Sequence, residues 1–92
     1  MRFAVPHDHP SLPGHFPGRP VVPGVVVLER VVAAIEARDG ALPALRLPQV
    51  KFVAPLLPGE QADISVSGGD GRWRFRVEKA GTLVATGEVV AA

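Results

Sequence analysis

The stretch Gly14-His15-Phe16-Pro17-Gly18-Arg19-Pro20-Val21-Val22-Pro23-Gly24-Val25-Val26-Val27-Leu28-Glu29 decides how the rest of the chain is read. It sets a histidine in a loop of glycine and proline and then starts an apolar helix. Pro23 and Gly24 suit the first helical positions, where a missing N–H costs nothing. From Val25 to Arg38 there is neither proline nor glycine. Val, Leu, Ala and Ile occupy nearly every face of this segment, with Glu29, Arg30 and Glu36 as exceptions, and a helix apolar all round is a buried helix. The β-branched run Val25 to Val27 makes a buried strand the competing local reading. The Pro-Gly start and the Ala-rich second half favour helix. Asp39-Gly40 ends it, with Gly40 expected as a left-handed cap.

Outward from the helix the period changes. Upstream, Arg2 to Val5 alternates as a short strand, and Pro6 to Pro20, with five prolines and two glycines, must be irregular. Downstream, Leu45 to Val53 reads as a strand in which Pro48 points to an edge position or a late start. Pro55 to Gly59 is a turn, and Gln61 to Ser67 alternates. Gly68-Gly69-Asp70-Gly71 is a strong hairpin signal. Arg72 to Lys79 places Trp73, Phe75 and Val77 on one face and Arg72, Arg74, Arg76 and Glu78 on the other. Ala80-Gly81 turns again, and Thr82 to Val90 is the last strand. The expected architecture is α+β: one long buried helix followed by an antiparallel meander, wrapped around it as a twisted sheet that the opening strand completes. No internal repeat or second domain is visible, so residues 1–92 read as a single domain.

Composition narrows the function classes. At 92 residues with 47% apolar content the chain has enough material for one small core, and this size favours oligomerisation. A net charge of +1 leaves no electrostatic footprint for nucleic acid. The absence of cysteine excludes disulfides and thiolate chemistry. No basic start followed by an apolar run marks a signal peptide. Val21 to Ile35 is too short and too interrupted to span a bilayer. A soluble cytoplasmic protein is the default expectation.

Three residues of the opening stretch carry chemistry together. A carboxylate such as Glu29 on a buried helix is costly unless paired, and desolvation would raise its pKa until it can donate a proton near neutral pH. Its purely structural role would be an ion pair with an arginine such as Arg46 or Arg72. His15 is the side chain best suited to abstract a proton at that pH; its structural alternative is a loop histidine bonded to nearby backbone. Near Gly24 the first helical N–H groups have no intrahelical partner and carry the positive dipole end, where a substrate carbonyl could be polarised. Glycine leaves room for close approach.

This stretch resembles the signature of the β-hydroxyacyl-acyl-carrier-protein dehydratases, which have the hot-dog fold. Val50-Lys51-Phe52-Val53-Ala54-Pro55-Leu56-Leu57-Pro58-Gly59-Glu60 is similar to the strand and turn of the same family. The resemblance implies that His15 removes the α-proton of a 3-hydroxyacyl thioester. Glu29, directly or through a water, would protonate the departing hydroxyl, and the Gly24 N–H would meet the thioester carbonyl. It also implies an acyl carrier protein as the substrate's carrier and no cofactor or metal. The active site would be shared across a homodimer whose sheets join edge to edge, with Glu29 facing His15 of the partner chain. Phe16, Val22, Val25 and Val32 would line the acyl site, and Arg19, in the same loop, is the candidate for carrier docking. The signature begins almost at once, and Glu29 is followed by Arg30-Val31-Val32-Ala33 rather than by small and amide residues. In this the chain looks like the compact dehydratases of polyketide-like or aryl-polyene synthesis, and a longer homologous subunit is a further possible partner.

Other motifs weigh less. In His7-Asp8-His9 neighbouring side chains diverge and cannot readily ligate one ion, so a turn is the expected role. The Arg72, Arg74 and Arg76 face is expected to be solvated, its functional alternative being an acidic carrier. Two rivals to the dehydratase remain: a hot-dog thioesterase that activates water with a carboxylate, and an idle acyl-binding subunit that assists a partner dehydratase.

Overall fold

The alternation along residues 62–91 and the mainly apolar stretch from Val25 to Ala37 produce a five-stranded antiparallel sheet with one helix against its inner face. The computed structural model describes residues 1–8 and 21–92. The elements are β1 (Arg2–Phe3), α1 (Gly24–Asp39), β2 (Leu45–Phe52), β3 (Ala62–Gly69), β4 (Arg72–Lys79) and β5 (Thr82–Ala91). The sheet order is β1-β3-β4-β5-β2, with every neighbour antiparallel.

Strands β3, β4 and β5 form the expected meander. Asp70-Gly71 and Ala80-Gly81 connect them as two-residue turns with both residues at positive φ, the backbone whose twist matches flanking strands. Asp and Gly tolerate this readily; Ala80, at φ 45°, does so against its own preference. The meander does not extend backward as the sequence suggested. Strand β2 crosses to the far edge and pairs with β5, Val50 opposite Gly87 and Phe52 opposite Ala85. Pro48 lies within the register shift between Arg46 and Gln49, a bulged edge position where a missing N–H is harmless. At the opposite edge β1 is shorter than expected and pairs with β3, and the Val5 carbonyl beyond it accepts the Gly59 N–H at 2.8 Å.

The core is what the strand alternation implies. Phe3, Ile64, Trp73, Phe75, Val77, Val84, Ala85 and Val89 project from the sheet onto Val26, Val27, Val31, Ala34 and Ile35 of α1. Burying a side chain of this size stabilises by roughly 1.5–3 kcal/mol. Thus the inner face and one helix stripe supply the folding free energy.

Two expectations about the helix need correction. It is not enclosed on all sides by its own chain: Val25, Glu29, Ala33 and Ala37, four residues apart, form an exposed line. One sheet can cover only one face of a helix, so the second apolar face is left over. Gly40 also ends the helix differently. Its φ is 98° as a cap requires, but its ψ of 171° is extended rather than left-handed helical, while its N–H still bonds the Glu36 carbonyl at 2.9 Å. Beyond it, the helix C-terminus is clasped to the sheet. Asp39 accepts from Trp73 Nε1 at 2.7 Å and from Arg38 Nε at 2.9 Å, and Arg38 also donates to the Val66 carbonyl at 3.1 Å and to the Gly68 carbonyl. These donors hold the Asp39 carboxyl below its ordinary range, the Arg38 bond most strongly and the Trp73 bond next.

Candidate active site at the start of the helix

The helix begins where two backbone segments are tied together. Pro23 is the N-cap, with φ −60° and ψ 145°, and has no side-chain cap. Its carbonyl accepts the Val26 N–H at 3.0 Å and the Val27 N–H at 3.3 Å. Immediately before it, the Val22 N–H bonds the Leu56 carbonyl at 2.8 Å, joining the helix entry to the chain that leaves β2. That chain is pinned in turn. The Val53 and Ala54 N–H groups both donate to the Val84 carbonyl, at 2.8 and 3.3 Å. Further along, the Glu60 carboxylate accepts the Leu57 N–H at 2.8 Å and Lys79 Nζ at 3.0 Å. Those two contacts, the backbone bond first, hold the Glu60 carboxyl below its ordinary range. Lys79 also reaches the Pro55 carbonyl at 2.6 Å.

Between these segments lies an apolar cavity of about 420 Å³ lined by Val22, Gly24, Val27, Phe52, Leu56 and Val84, among others. Its floor is the core itself, since Val22, Val27, Leu56 and Val84 are all buried. Phe52 closes one side. A Cβ placed on Gly24 would stand 2.7 Å from the Phe52 Cζ atom, so the ring rests against the α-carbon of Gly24 in the space any other residue would fill. An apolar cleft bounded by the positive end of a helix suits a ligand with an apolar chain and a polarisable oxygen.

Of the residues singled out in the sequence, the structure brings Val22 and Gly24 together in this cavity. Val25 is not in its lining; it is 61% exposed. Glu29 lies one turn beyond Val25 on the same exposed line, and none of the ion pairs among the described residues includes it. The enclosure expected around this carboxylate is therefore not supplied by the chain's own elements, and neither Arg46 nor Arg72 is its partner. Arg72 pairs with Glu88 instead, at 2.7 Å. His15, Phe16 and Arg19 lie outside the described residues. Phe52, Leu56 and Val84 complete the lining. The parity of β2 was the available signal for Phe52, which falls on the inner face with Val50.

A larger depression, about 540 Å³, lies on the outer face of the sheet among Gln49, Lys51, Arg74, Arg76, Thr86 and Glu88. It lies on the side away from the helix and is lined by several charged side chains, and the Arg74–Glu88 ion pair spans it. It has the character of a solvated sheet face. No helix among the described residues is long and apolar enough to cross a membrane.

The sheet curled around a single central helix defines the hot-dog fold. The same fold occurs in a dehydratase heterocomplex, ApeI:P, of Xenorhabdus doucetiae (TM-score 0.82, 21% identity, covering 97% of this chain and 81% of that one). It occurs again in the fluoroacetyl-CoA thioesterase FlK (TM-score 0.63, 18% identity, 99% of this chain and 83% of that one). Within that fold the chain belongs to the ApeI-like family of ApeI dehydratases, whose profile matches residues 1–88. Among curated proteins it is similar to the 3-hydroxyacyl-[acyl-carrier-protein] dehydratase FabZ of Haemophilus influenzae strain PittEE, 34% identical over 64% of this chain and 46% of the relative. It is also similar to the FabZ of Bartonella quintana, 33% identical over 91% of this chain and 63% of the relative. The chain thus spans from about half to two thirds of the length of the curated relatives it matches.

Proposed function

We propose that the protein dehydrates a 3-hydroxyacyl thioester carried on acyl carrier protein to the trans-2-enoyl thioester, in fatty-acid or aryl-polyene chain synthesis in the cytoplasm, without a cofactor. The observation that carries this reading is membership of a dehydratase family across residues 1–88, joined to an apolar cavity at the helix start that includes Gly24. In this reading the thioester carbonyl meets the Gly24 N–H, which stabilises the charge that develops as the α-proton leaves. His15 takes that proton. Glu29 delivers one to the β-hydroxyl, which departs as water while the α,β double bond forms.

The active form we propose is a homodimer with the site shared between chains. Glu29 stands on an exposed face with Val25, Ala33 and Ala37, and β2 leaves one edge of the sheet unpaired with Leu47 exposed on it. A second copy joined along β2 would cover that face and bring its own His15 toward Glu29. Because one structural neighbour is a heterocomplex, a longer homologous subunit is the alternative occupant of the same face. The thioesterase neighbour supports the rival reaction on the same frame.

The test follows the ultraviolet band of crotonyl thioesters on acyl carrier protein and on coenzyme A, with free thiol assayed in parallel. Loss of the enoyl band with the wild type, abolished in His15→Ala, is the expected result. Band loss matched by an equal release of free thiol would replace the dehydratase with the thioesterase, because hydrolysis also ends the conjugation of the thioester. A folded dimer inactive on both carriers until a homologous subunit is added would make it a partner subunit.

A further inference from the structure

We propose that Lys79, at the end of β4, is a positioning residue for the helix-start site: acting through the turn after β2, it holds the Val22–Gly24 backbone where the Gly24 N–H can meet a thioester carbonyl. This rests on the reading of the helix start as the thioester site. The alternation that turns Trp73, Phe75 and Val77 inward turns Lys79 inward as well, the one charged residue on that face of β4. Its side chain is only 20% exposed, so its ammonium needs fixed acceptors. Both lie on the turn between β2 and β3. Nζ donates to the Pro55 carbonyl at 2.6 Å and to Glu60 Oε1 at 3.0 Å, and the same carboxylate oxygen accepts the Leu57 N–H at 2.8 Å.

The link to the helix is a single peptide group. The Leu57 N–H and the Leu56 carbonyl belong to one planar unit, and that carbonyl accepts the Val22 N–H at 2.8 Å. Glu60 therefore grips one end of the plane whose other end holds Val22, and only Pro23 separates Val22 from Gly24. Lys79 fixes both the carboxylate and, through the Pro55 carbonyl, the peptide group just before. The buried Leu56 side chain anchors that residue in the core, but the direction of its carbonyl is set by the peptide groups that Lys79 and Glu60 hold. Little else can set it. Pro55 and Pro58 have no N–H to offer. The other backbone bonds of the turn start from its far end, Gly59 to the Val5 carbonyl and Glu60 to the Leu57 carbonyl. All these contacts lie within one chain, so they do not depend on pairing along β2. A misplacement of about 1 Å at a reacting group can cost about 100-fold in rate.

Lys79→Met keeps the stem and removes the ammonium. Amide hydrogen exchange at Val22 and hydration of crotonyl-pantetheine read the two ends of the path. Val22 exchange should quicken about tenfold or more. The kcat should fall about 10- to 100-fold, with KM within about threefold, because the Gly24 bond strengthens in the transition state. Lys79→Arg, which keeps charged donors for the same two acceptors, should restore most of kcat. Thermal melts establish that the variants are folded at the assay temperature. Glu60→Gln, whose amide oxygen still accepts the Leu57 N–H, is the milder second variant and should lower kcat at least about threefold; it decides the question if Lys79→Met does not fold. An unchanged Val22 exchange rate, an unchanged kcat beside a quickened Val22, or a loss confined to KM overturns the positioning role and leaves the dehydratase reading intact. That reading has its own readout: saturated butyryl-pantetheine should shift the Gly24 amide resonance of the wild type. A wild type without turnover and with an unmoved Gly24 resonance overturns both.

Discussion

Two glycines face phenylalanine rings in this fold, and they should respond to the same substitution in opposite ways. Gly87 sits on the inner face of β5, opposite Phe75 of β4 and Val50 of β2. A methyl group there would lie 3.0 Å from both Cε2 and Cζ of Phe75 and closer still to the Gln49 carbonyl. Phe75 is 1% exposed and has nowhere to go, and the Gln49 carbonyl belongs to the backbone of β2. Gly87 is not at positive φ, so the cost of Gly87→Ala is packing alone. Overpacking a core costs typically 1–3 kcal/mol, and with a backbone atom among the obstacles the upper end, about 3 kcal/mol, is expected. For a domain of this size each kcal/mol lowers Tm by about 4–8 °C, so the melt should fall by roughly 12 °C or more. At Gly24 the obstacle is the tip of a half-exposed ring that can turn into solvent, and Gly24→Ala should shift Tm by no more than about 2 °C. Circular-dichroism melts of the two variants measure the contrast. Adding Phe75→Leu to Gly87→Ala should recover part of the loss but not all, because the Gln49 carbonyl remains. A Gly87→Ala protein that melts within 3 °C of wild type would refute the packing argument, as would a Gly24→Ala protein that falls as far.

Glu29→Gln should abolish crotonyl hydration while leaving Tm within about 2 °C, since surface changes away from special contacts are worth within ±0.5 kcal/mol; a stability loss of several kcal/mol would mean that Glu29 is structural. Mixing inactive His15→Ala with inactive Glu29→Gln should restore about a quarter of the wild-type activity if subunits exchange at random within a dimer, one intact site in two forming in half of the molecules, as a shared site requires; no recovery after mass spectrometry verifies exchange would place both residues in one chain's site. Stability should also fall on acidification. The carboxyls of Asp39 and Glu60 are held below their ordinary values of 3.8 and 4.5, so each stabilises the fold above its unfolded pKa and loses that contribution as pH falls through its folded one. Melts taken from pH 6 downward should show Tm dropping below about pH 4.5, and Asp39→Asn should flatten part of that drop; a variant with the same acid profile as wild type would remove Asp39 from the account.

The elements themselves were legible because each obeys a local rule. The alternation of Arg72 to Lys79 fixes its inner face, the Asp70-Gly71 pair suits a two-residue turn, and Pro23-Gly24 suits a helix start. Pro48 also correctly marked an edge. What local rules could not supply was the place of β2, because pairing Val50 with Gly87 is settled by how the helix lies across the sheet and not by the turn between neighbouring strands. The exposure of Glu29 was hidden for a related reason. Residues apolar on every side of α1 require that the whole helix be covered, but not that one chain do the covering. Gly24 and Val22 meet in the helix-start cavity because the helix start itself fixes them, whereas Phe52 joins its lining only when the crossing of β2 brings it there.

The crossing has a consequence for how the protein is made. Apart from β1, the strands that cover the helix follow it in sequence: β2 ends at Phe52, and the sheet is complete only at Ala91. A ribosome adding about 5–20 residues per second takes roughly 2–8 s to lay down the intervening 40 or so. Until then the Val26-Val27-Val31-Ile35 stripe lacks most of the strands that cover it. The hairpins of β3, β4 and β5 then close quickly on near neighbours, whereas the Met1 ammonium must find the Ile64 carbonyl across 63 residues. The chain's last third is thus the template on which its first half is assembled, and the newborn helix is the segment a chaperone would be called upon to shield.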